Sequence, residues 1–228
     1  MKPTILLLSA LFFWIAACNN GEQTETTVEE TEPEVEIAET PTAVEEDIDY
    51  GYQLLIDSSN VEWRGYKTFT HKEHYGTIAI IGGGVNIEDG NITGGKIVID
   101  MKTIVNLDMK GTEYGTKLEG HLSSPDFFDV EQFPSASFKI IEMVVDTVIG
   151  DKSLVGNLTI KGITKEITVP IQYIVEGDEF RASATFTFNR IDWDIKFGSD
   201  SFFDLVKDEI IDNNIAISFS LVANKSKS

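Results

Sequence analysis

From Tyr50 onward, apolar and polar positions alternate with a period of two in short runs. Ile97, Ile99 and Met101 alternate with Lys96 and Asp100, and Ala136, Phe138 and Ile140 with Ser137 and Lys139. Leu158 and Ile160 alternate with Thr159 and Lys161. The same spacing runs through Ile167, Val169, Ile171, Tyr173 and Val175, through Ala184, Phe186 and Phe188, and through Ile215, Ile217, Phe219 and Leu221. Such alternation predicts strands with one buried face. Turn signals fall between the runs at Glu88-Asp89-Gly90-Asn91, Gly94-Gly95, Gly150-Asp151 and Glu176-Gly177-Asp178. No long stretch keeps a helical period. Closing many such strands on themselves removes exposed sheet edges, so the expected class is all-β. The architecture is an extended antiparallel β-barrel of about eight strands, with one or two short helices.

Three places depart from the alternation. Lys117–Leu122 puts Leu118 and Leu122 on one helical face, and Ser124-Pro125-Asp126 reads as a helix N-cap followed by proline at the first helical position. Phe127-Phe128-Asp129-Val130 follows and has a near-copy in Phe202-Phe203-Asp204-Leu205. Both are expected to form short helical turns that drop paired phenylalanines onto the barrel, either plugging an end or lining a cavity. Gly82-Gly83-Gly84, in strand-like surroundings, predicts a bulge or sharp bend.

Before Tyr50 the chain changes character. Lys2 is the only charge ahead of the apolar run Ile5–Ala17, which is short for a bilayer span of about 20 residues but suits a signal-peptide core. Residues 1–17 are therefore read as a signal peptide. Ile15-Ala16-Ala17-Cys18 resembles a bacterial lipoprotein signal box, with Ile where Leu is usual, which implies cleavage before Cys18 and lipidation of it. Several acyl chains on one residue would hold the protein at a membrane. Residues 19–49 hold 12 of the chain's 38 acidic side chains and no Lys, Arg or aromatic residue. They bury too little apolar area to offset ordering entropy, so 18–49 is read as a lipidated, disordered acidic tether and 50–228 as the barrel domain. The implied location is exported, in the cell envelope and membrane-anchored.

Charge and composition exclude several classes. The formal net charge over 228 residues is −20, and no basic face can be assembled for nucleic acid. One cysteine rules out an intramolecular disulfide and a cysteine-based zinc site. His71 and His74 form H-x-x-H without the helical zinc pattern, and His121 stands apart, so no metal and no cofactor is expected. Asp192, Asp194 and Asp200 lack the glycine and glutamate of a calcium loop. No nucleophile elbow or phosphate loop occurs. Paired carboxylates for glycoside chemistry stay open in a chain this acidic, with nothing singling out a pair.

Four blocks give the chain a family resemblance: Val61-Glu62-Trp63 with His74-Tyr75-Gly76-Thr77-Ile78; Gly95–Met101 running to His121-Leu122-Ser123-Ser124-Pro125-Asp126-Phe127-Phe128 and Phe133–Phe138; Gly156-Asn157-Leu158-Thr159-Ile160-Lys161-Gly162; and Phe186-Thr187-Phe188-Asn189-Arg190 with Trp193 and the closing run at 212–222. Through them the sequence resembles the YceI-like family of bacterial envelope proteins, lipocalin-like barrels regarded as lipid- and polyisoprenoid-binding. The resemblance implies an eight-stranded barrel with a helical excursion near 113–130. Its pore would take a long isoprenoid, quinone-like or fatty-acyl chain, with no catalytic residues. The expected pore lining is Trp63, Ile78, Ile80, Ile97, Ile99 and Met101 from the first half. Phe127, Phe128, Phe138, Leu158, Ile160, Phe186, Phe188, Trp193, Phe197, Phe202 and Phe203 complete it. His71, His74 and Arg190 are the candidate headgroup contacts. Two other readings stand beside this one: a filled barrel acting as an interaction or stress-response module, and a hydrolase using acidic residues on a lipid-linked substrate.

Overall fold

The computed structural model describes residues 50–203 and 206–227. The expected signal peptide and tether, with Cys18, and Asp204, Leu205 and Ser228 lie outside the described residues. The strands are β1 (Tyr52–Leu54), β2 (Asn60–Tyr66), β3 (Glu73–Glu88), β4 (Asn91–Asn106), β5 (Ser135–Val145), β6 (Lys152–Ile160), β7 (Ile163–Pro170), β8 (Gln172–Glu176), β9 (Glu179–Asn189) and β10 (Asn214–Lys225). Among the described residues one α-helix, α1 (Glu113–Ser123), sits between β4 and β5, and short 3-10 turns lie at 56–58, 190–193 and 207–209.

The sheet runs β7-β6-β5-β4-β3-β1-β10-β9-β8, with β2 pairing both β3 and β10. β1 and β2 share one position, since each lies antiparallel between β3 and β10. β7 and β8 are one bent strand: the first half pairs with β6, the second with β9, and Ile171 between them donates its N–H to the Lys152 carbonyl at 2.9 Å. Ten strands thus fill eight barrel positions. Among the described residues no ladder joins β7 to β9, so the barrel is not strictly closed and keeps a seam there.

Local chemistry sets the turns and bulges. Asp89 and Gly90 take φ of 49° and 79°, the left-handed pair of a two-residue hairpin turn. The register shifts between Ile80 and Gly82, where the glycine run predicted a bulge. Gly83 there has φ 124°, and a Cβ on it would fall 2.0 Å from the Lys96 carbonyl oxygen. Gly94-Gly95 is not a turn but lies within β4; a Cβ on Gly95 would sit 2.5 Å from the Gly84 oxygen, so Gly95 serves close strand approach. α1 begins four residues earlier than the apolar spacing suggests, because Thr112 caps it by accepting the Gly115 N–H at 3.0 Å. Ser124 ends α1 rather than starting a second helix: its carbonyl accepts the Phe127 and Asp129 N–H groups in a turn.

One end of the barrel is filled. Tyr52, Val85, Ile92, Ile140, Leu154, Ile171 and Phe180 are all buried there. The Phe180 ring lies 6.4 Å from that of Tyr52 and 6.0 Å from that of Tyr173. Tyr173 donates its hydroxyl to the Gly90 carbonyl at 2.9 Å and accepts from Lys152 at 3.2 Å, tying β8 and β6 to the β3–β4 turn at this floor. Tyr50, where the described chain starts, enters beside the floor, since Tyr52 pairs with Lys225 and Val85. α1 and the segments 67–72 and 190–213 gather at the opposite end.

Candidate functional site

Above the aromatic floor the barrel encloses a cavity of about 320 Å³, within the range of small-molecule pockets. Its wall follows the strand period. Trp63, Ile78, Ile97, Ile99, Met101, Phe138, Leu158, Ile160, Phe186 and Phe188 line it, and Phe127 and Phe128 project from the turn after α1. The cavity is a blind pocket, not a through-pore, because the floor cluster closes its lower end.

Sixteen further lining residues had not been assigned to the wall. Ile215, Ile217, Phe219 and Leu221 of β10 continue the same alternation, so the signal for them was present. Val61, Ile104, Leu118, Leu122, Ala136, Val169, Ile195 and Ile211 add apolar surface, and Gly65, Tyr66, Lys67 and Ser137 complete the set. Among the described residues no Asp or Glu lines the cavity, so it offers no close carboxylate pair for glycoside chemistry. Nor do the described residues hold a group of three His, Cys, Asp or Glu side chains able to bind a metal.

Five residues expected in the pore stand elsewhere. Ile80 keeps the inward parity of Ile78, with Ala79 and Ile81 exposed on either side, and is buried in the core off the cavity wall. Trp193 is 1% exposed and off the wall. It donates its indole N–H to the Leu158 carbonyl at 3.2 Å and meets Phe188 edge-on at 5.2 Å, bridging the 190–193 turn to β6. Phe197 stacks outside on His121, ring centroids 4.6 Å apart, with Phe127 beneath at 5.4 Å. Phe202 and Phe203 face solvent, because their N–H groups both turn back to the Ser199 carbonyl at 3.2 Å.

The polar candidates divide in the same way. His71 is exposed and off the cavity. Arg190 reaches the wall, but its donors are already taken. Nε bonds the Asp212 carbonyl at 3.0 Å, Nη1 those of Ile195 and Phe197 at 2.7 and 2.8 Å, and Nη2 that of Ile211 at 3.1 Å and Asn213 Oδ1 at 3.4 Å. It is a strut for the mouth loops and not a free headgroup contact. Burial lowers its guanidinium affinity for the proton, against an opposing pull from Asp212. Trp63 Nε1 is buried without a hydrogen-bond partner.

His74 lines the cavity, and its Nδ1 lies 2.8 Å from Asp108 Oδ2. Asp108 also accepts the Tyr75 N–H at 3.0 Å and the Asn106 side-chain amide, while Glu119 of α1 accepts the Asn106 N–H at 2.8 Å. This cluster pins the β4–α1 connection to β3 at the mouth. Partial burial pushes the Asp108 carboxyl up, but the bonds from His74, Tyr75 and Asn106 outweigh it and hold the group below the usual carboxylate range. A depressed acid stabilises the fold above its unfolded pKa of about 4 and loses that contribution as pH falls through its folded value. Asp108→Asn is expected to cost about 1–2 kcal/mol at neutral pH. The gap from the parent should narrow below about pH 4 in urea titrations; a gap independent of pH would refute the assignment.

Residues 52–223 match the family model described as YceI-like domain. A UPF0312 protein of Enterobacter sp. strain 638 is 31% identical over 105 residues, covering 46% of this chain and 51% of that one. Protein YceI of Escherichia coli O6:H1 is 29% identical over 106 residues, with the same coverage of 46% and 51%. The alignments thus span about half the length of these relatives. Among solved structures, Burkholderia cenocepacia BcnA is similar with a TM-score of 0.59 at 19% identity, covering 75% of this chain and 99% of that one. A polyisoprenoid binding domain from Saccharophagus degradans, implicated in plant cell wall breakdown, has a TM-score of 0.58 at 15% identity, covering 78% and 100%. At these identities the structural likeness speaks for the fold.

Proposed function

The chain belongs to the YceI-like domain family, and on that premise we propose that its barrel binds and sequesters or carries a single long apolar chain, a polyisoprenoid, quinone-like or fatty-acyl lipid, without catalysing its conversion. The observation that carries this reading is the blind cavity of about 320 Å³ walled by Ile, Leu, Val, Phe and Trp. Each methylene taken into such a wall is worth about 0.8 kcal/mol, so a long tail binds tightly with little polar recognition. The name of the Saccharophagus relative points the same way. His74 and Lys67, on the wall near the mouth, are the groups placed to meet a polar head. We place the protein in the cell envelope, exported by residues 1–17 and anchored through lipidated Cys18, with 19–49 as the spacer.

The test is organic extraction of natively purified protein followed by mass spectrometry, with uptake of long-chain fluorescent probes as the second readout. The expected extract contains about one apolar-chain lipid per barrel. A clean extract together with no probe uptake would end the proposal and leave the interaction-module reading.

A further inference from the structure

Four apolar side chains stand out from the mouth of a strongly acidic protein: Phe69 is 50% exposed, Phe202 and Phe203 are each 48%, and Val206 is 61%. They lie on two segments bound to each other. Lys67 donates its ammonium to the Asp208 carbonyl at 2.6 Å, the Thr68 N–H bonds the Ile210 carbonyl at 3.1 Å, and Lys67 bridges to Ile211 in an antiparallel pair. Lys67 and Ile211 are also cavity wall, so the patch is continuous with the opening. Two of the rings carry a cation: Lys207 Nζ stands 5.4 Å from the centroid of Phe69, and Lys196 Nζ 5.3 Å from that of Phe202.

We propose that this rim is a bilayer-docking surface through which the apolar ligand passes directly between membrane and cavity. The inference rests on the lipid-binding reading and adds the route in. A tail of fifteen carbons crossing water would forfeit on the order of 12 kcal/mol, so a barrel that loads such a chain at a useful rate must touch the bilayer. Phenylalanines at the rim supply the insertion, and Lys207 above the Phe69 ring has the reach to snorkel to lipid phosphates, whereas Lys196 is ion-paired with Asp194. Asp200, Asp208 and Glu209 share the rim, which makes a strongly anionic surface a poor match and a zwitterionic one the expected partner. The chain enters the barrel at the floor, away from the mouth. The 31 residues from Asn19 to Asp49 span at most about 100 Å, against about 50 Å for the 16-residue β3. An anchored domain therefore has length enough to turn its mouth onto the same membrane.

Two measurements on the full chain decide it. Phe203→Trp, at the mouth, and Val148→Trp, at a 90% exposed site on the floor end, are compared in brominated phosphatidylcholine vesicles, each against the parent's own tryptophans. Quenching is expected for the first and not for the second. The triple variant Phe69→Ser, Phe202→Ser, Phe203→Ser is expected to take a long-chain fluorescent fatty acid out of phosphatidylcholine vesicles about tenfold more slowly or worse, with its equilibrium affinity for that probe in dilute solution unchanged. Equal quenching at both sites, quenching at position 148 alone, or an unaltered transfer rate would overturn the docking surface. If the parent takes up no probe from any source, it is the lipid-binding reading that fails, and the quenching pattern alone then decides whether the rim meets a bilayer.

Discussion

Arg190→Met is expected to destabilise the domain by about 3–5 kcal/mol, the range for breaking a buried charged network. Arg190 is 1% exposed and uses all five of its N–H groups on acceptors drawn from Ile195, Phe197, Ile211, Asp212 and Asn213. Four of those acceptors are backbone carbonyls, which no neighbouring substitution can remove. A methionine fills much of the volume but leaves them without a donor, and each unsatisfied buried group costs about 1–3 kcal/mol before relaxation. For a domain of this size the melting temperature should fall by about 10 °C. Arg190→Lys should fall between parent and Met, because an ammonium offers three donors and lacks the planar fork that reaches separated carbonyls. The loss should also loosen the mouth, since Ile195 and Ile211 are cavity wall held by this side chain. Thermal unfolding of the three proteins gives the order; a methionine variant within about 1 kcal/mol of the parent would show that the loops are held by packing alone.

How much of this was legible in the sequence depends on how local the signal is. Side-chain parity is local, so alternation at 97–101, 136–140, 158–160 and 186–188 marked both the strands and the face they turn inward. The β10 run at 215–221 carried the same signal and belonged on the wall by the same argument. Ile80 obeys the same parity and is buried, but where along the barrel the packed core gives way to open cavity is not a local property. A bulge shows in sequence only where glycine marks it, as at 82–84. The outward turn of Phe202 and Phe203 was not readable. Both N–H groups return to the Ser199 carbonyl, a backbone turn that the apolar side chains do not announce in sequence. Arg190 and Trp193 were picked out by composition and motif, yet their roles come from carbonyls on other segments, and side-chain identity does not encode which carbonyls the fold will bring near. The blind floor has the same origin: Tyr173 and Phe180 share one hairpin, but Tyr52 lies far upstream in sequence and meets them only when the barrel forms.

Ile217→Trp should abolish tight binding of a long chain while leaving the barrel folded. Ile217 is a half-buried residue in the middle of β10, paired with Trp63 and Phe186, both of them cavity wall. Its remaining exposure faces the cavity, so an indole there grows into empty space and meets little of the strain that overpacking causes in a filled core. The melting temperature should stay within about 3 °C of the parent, or rise. Displacing about four methylenes of a bound tail forfeits about 3 kcal/mol, which is more than a hundredfold in Kd. Ser220→Trp on the same strand is the matched control, because Ser220 is exposed and has the opposite parity, so the added ring leaves the cavity untouched and affinity for the chain should hold. The two variants separate a ligand inside the barrel from one bound on its surface. If Ile217→Trp folds and still takes the long-chain probe as tightly as the parent does, the chain is not held in the cavity, whatever the wall looks like.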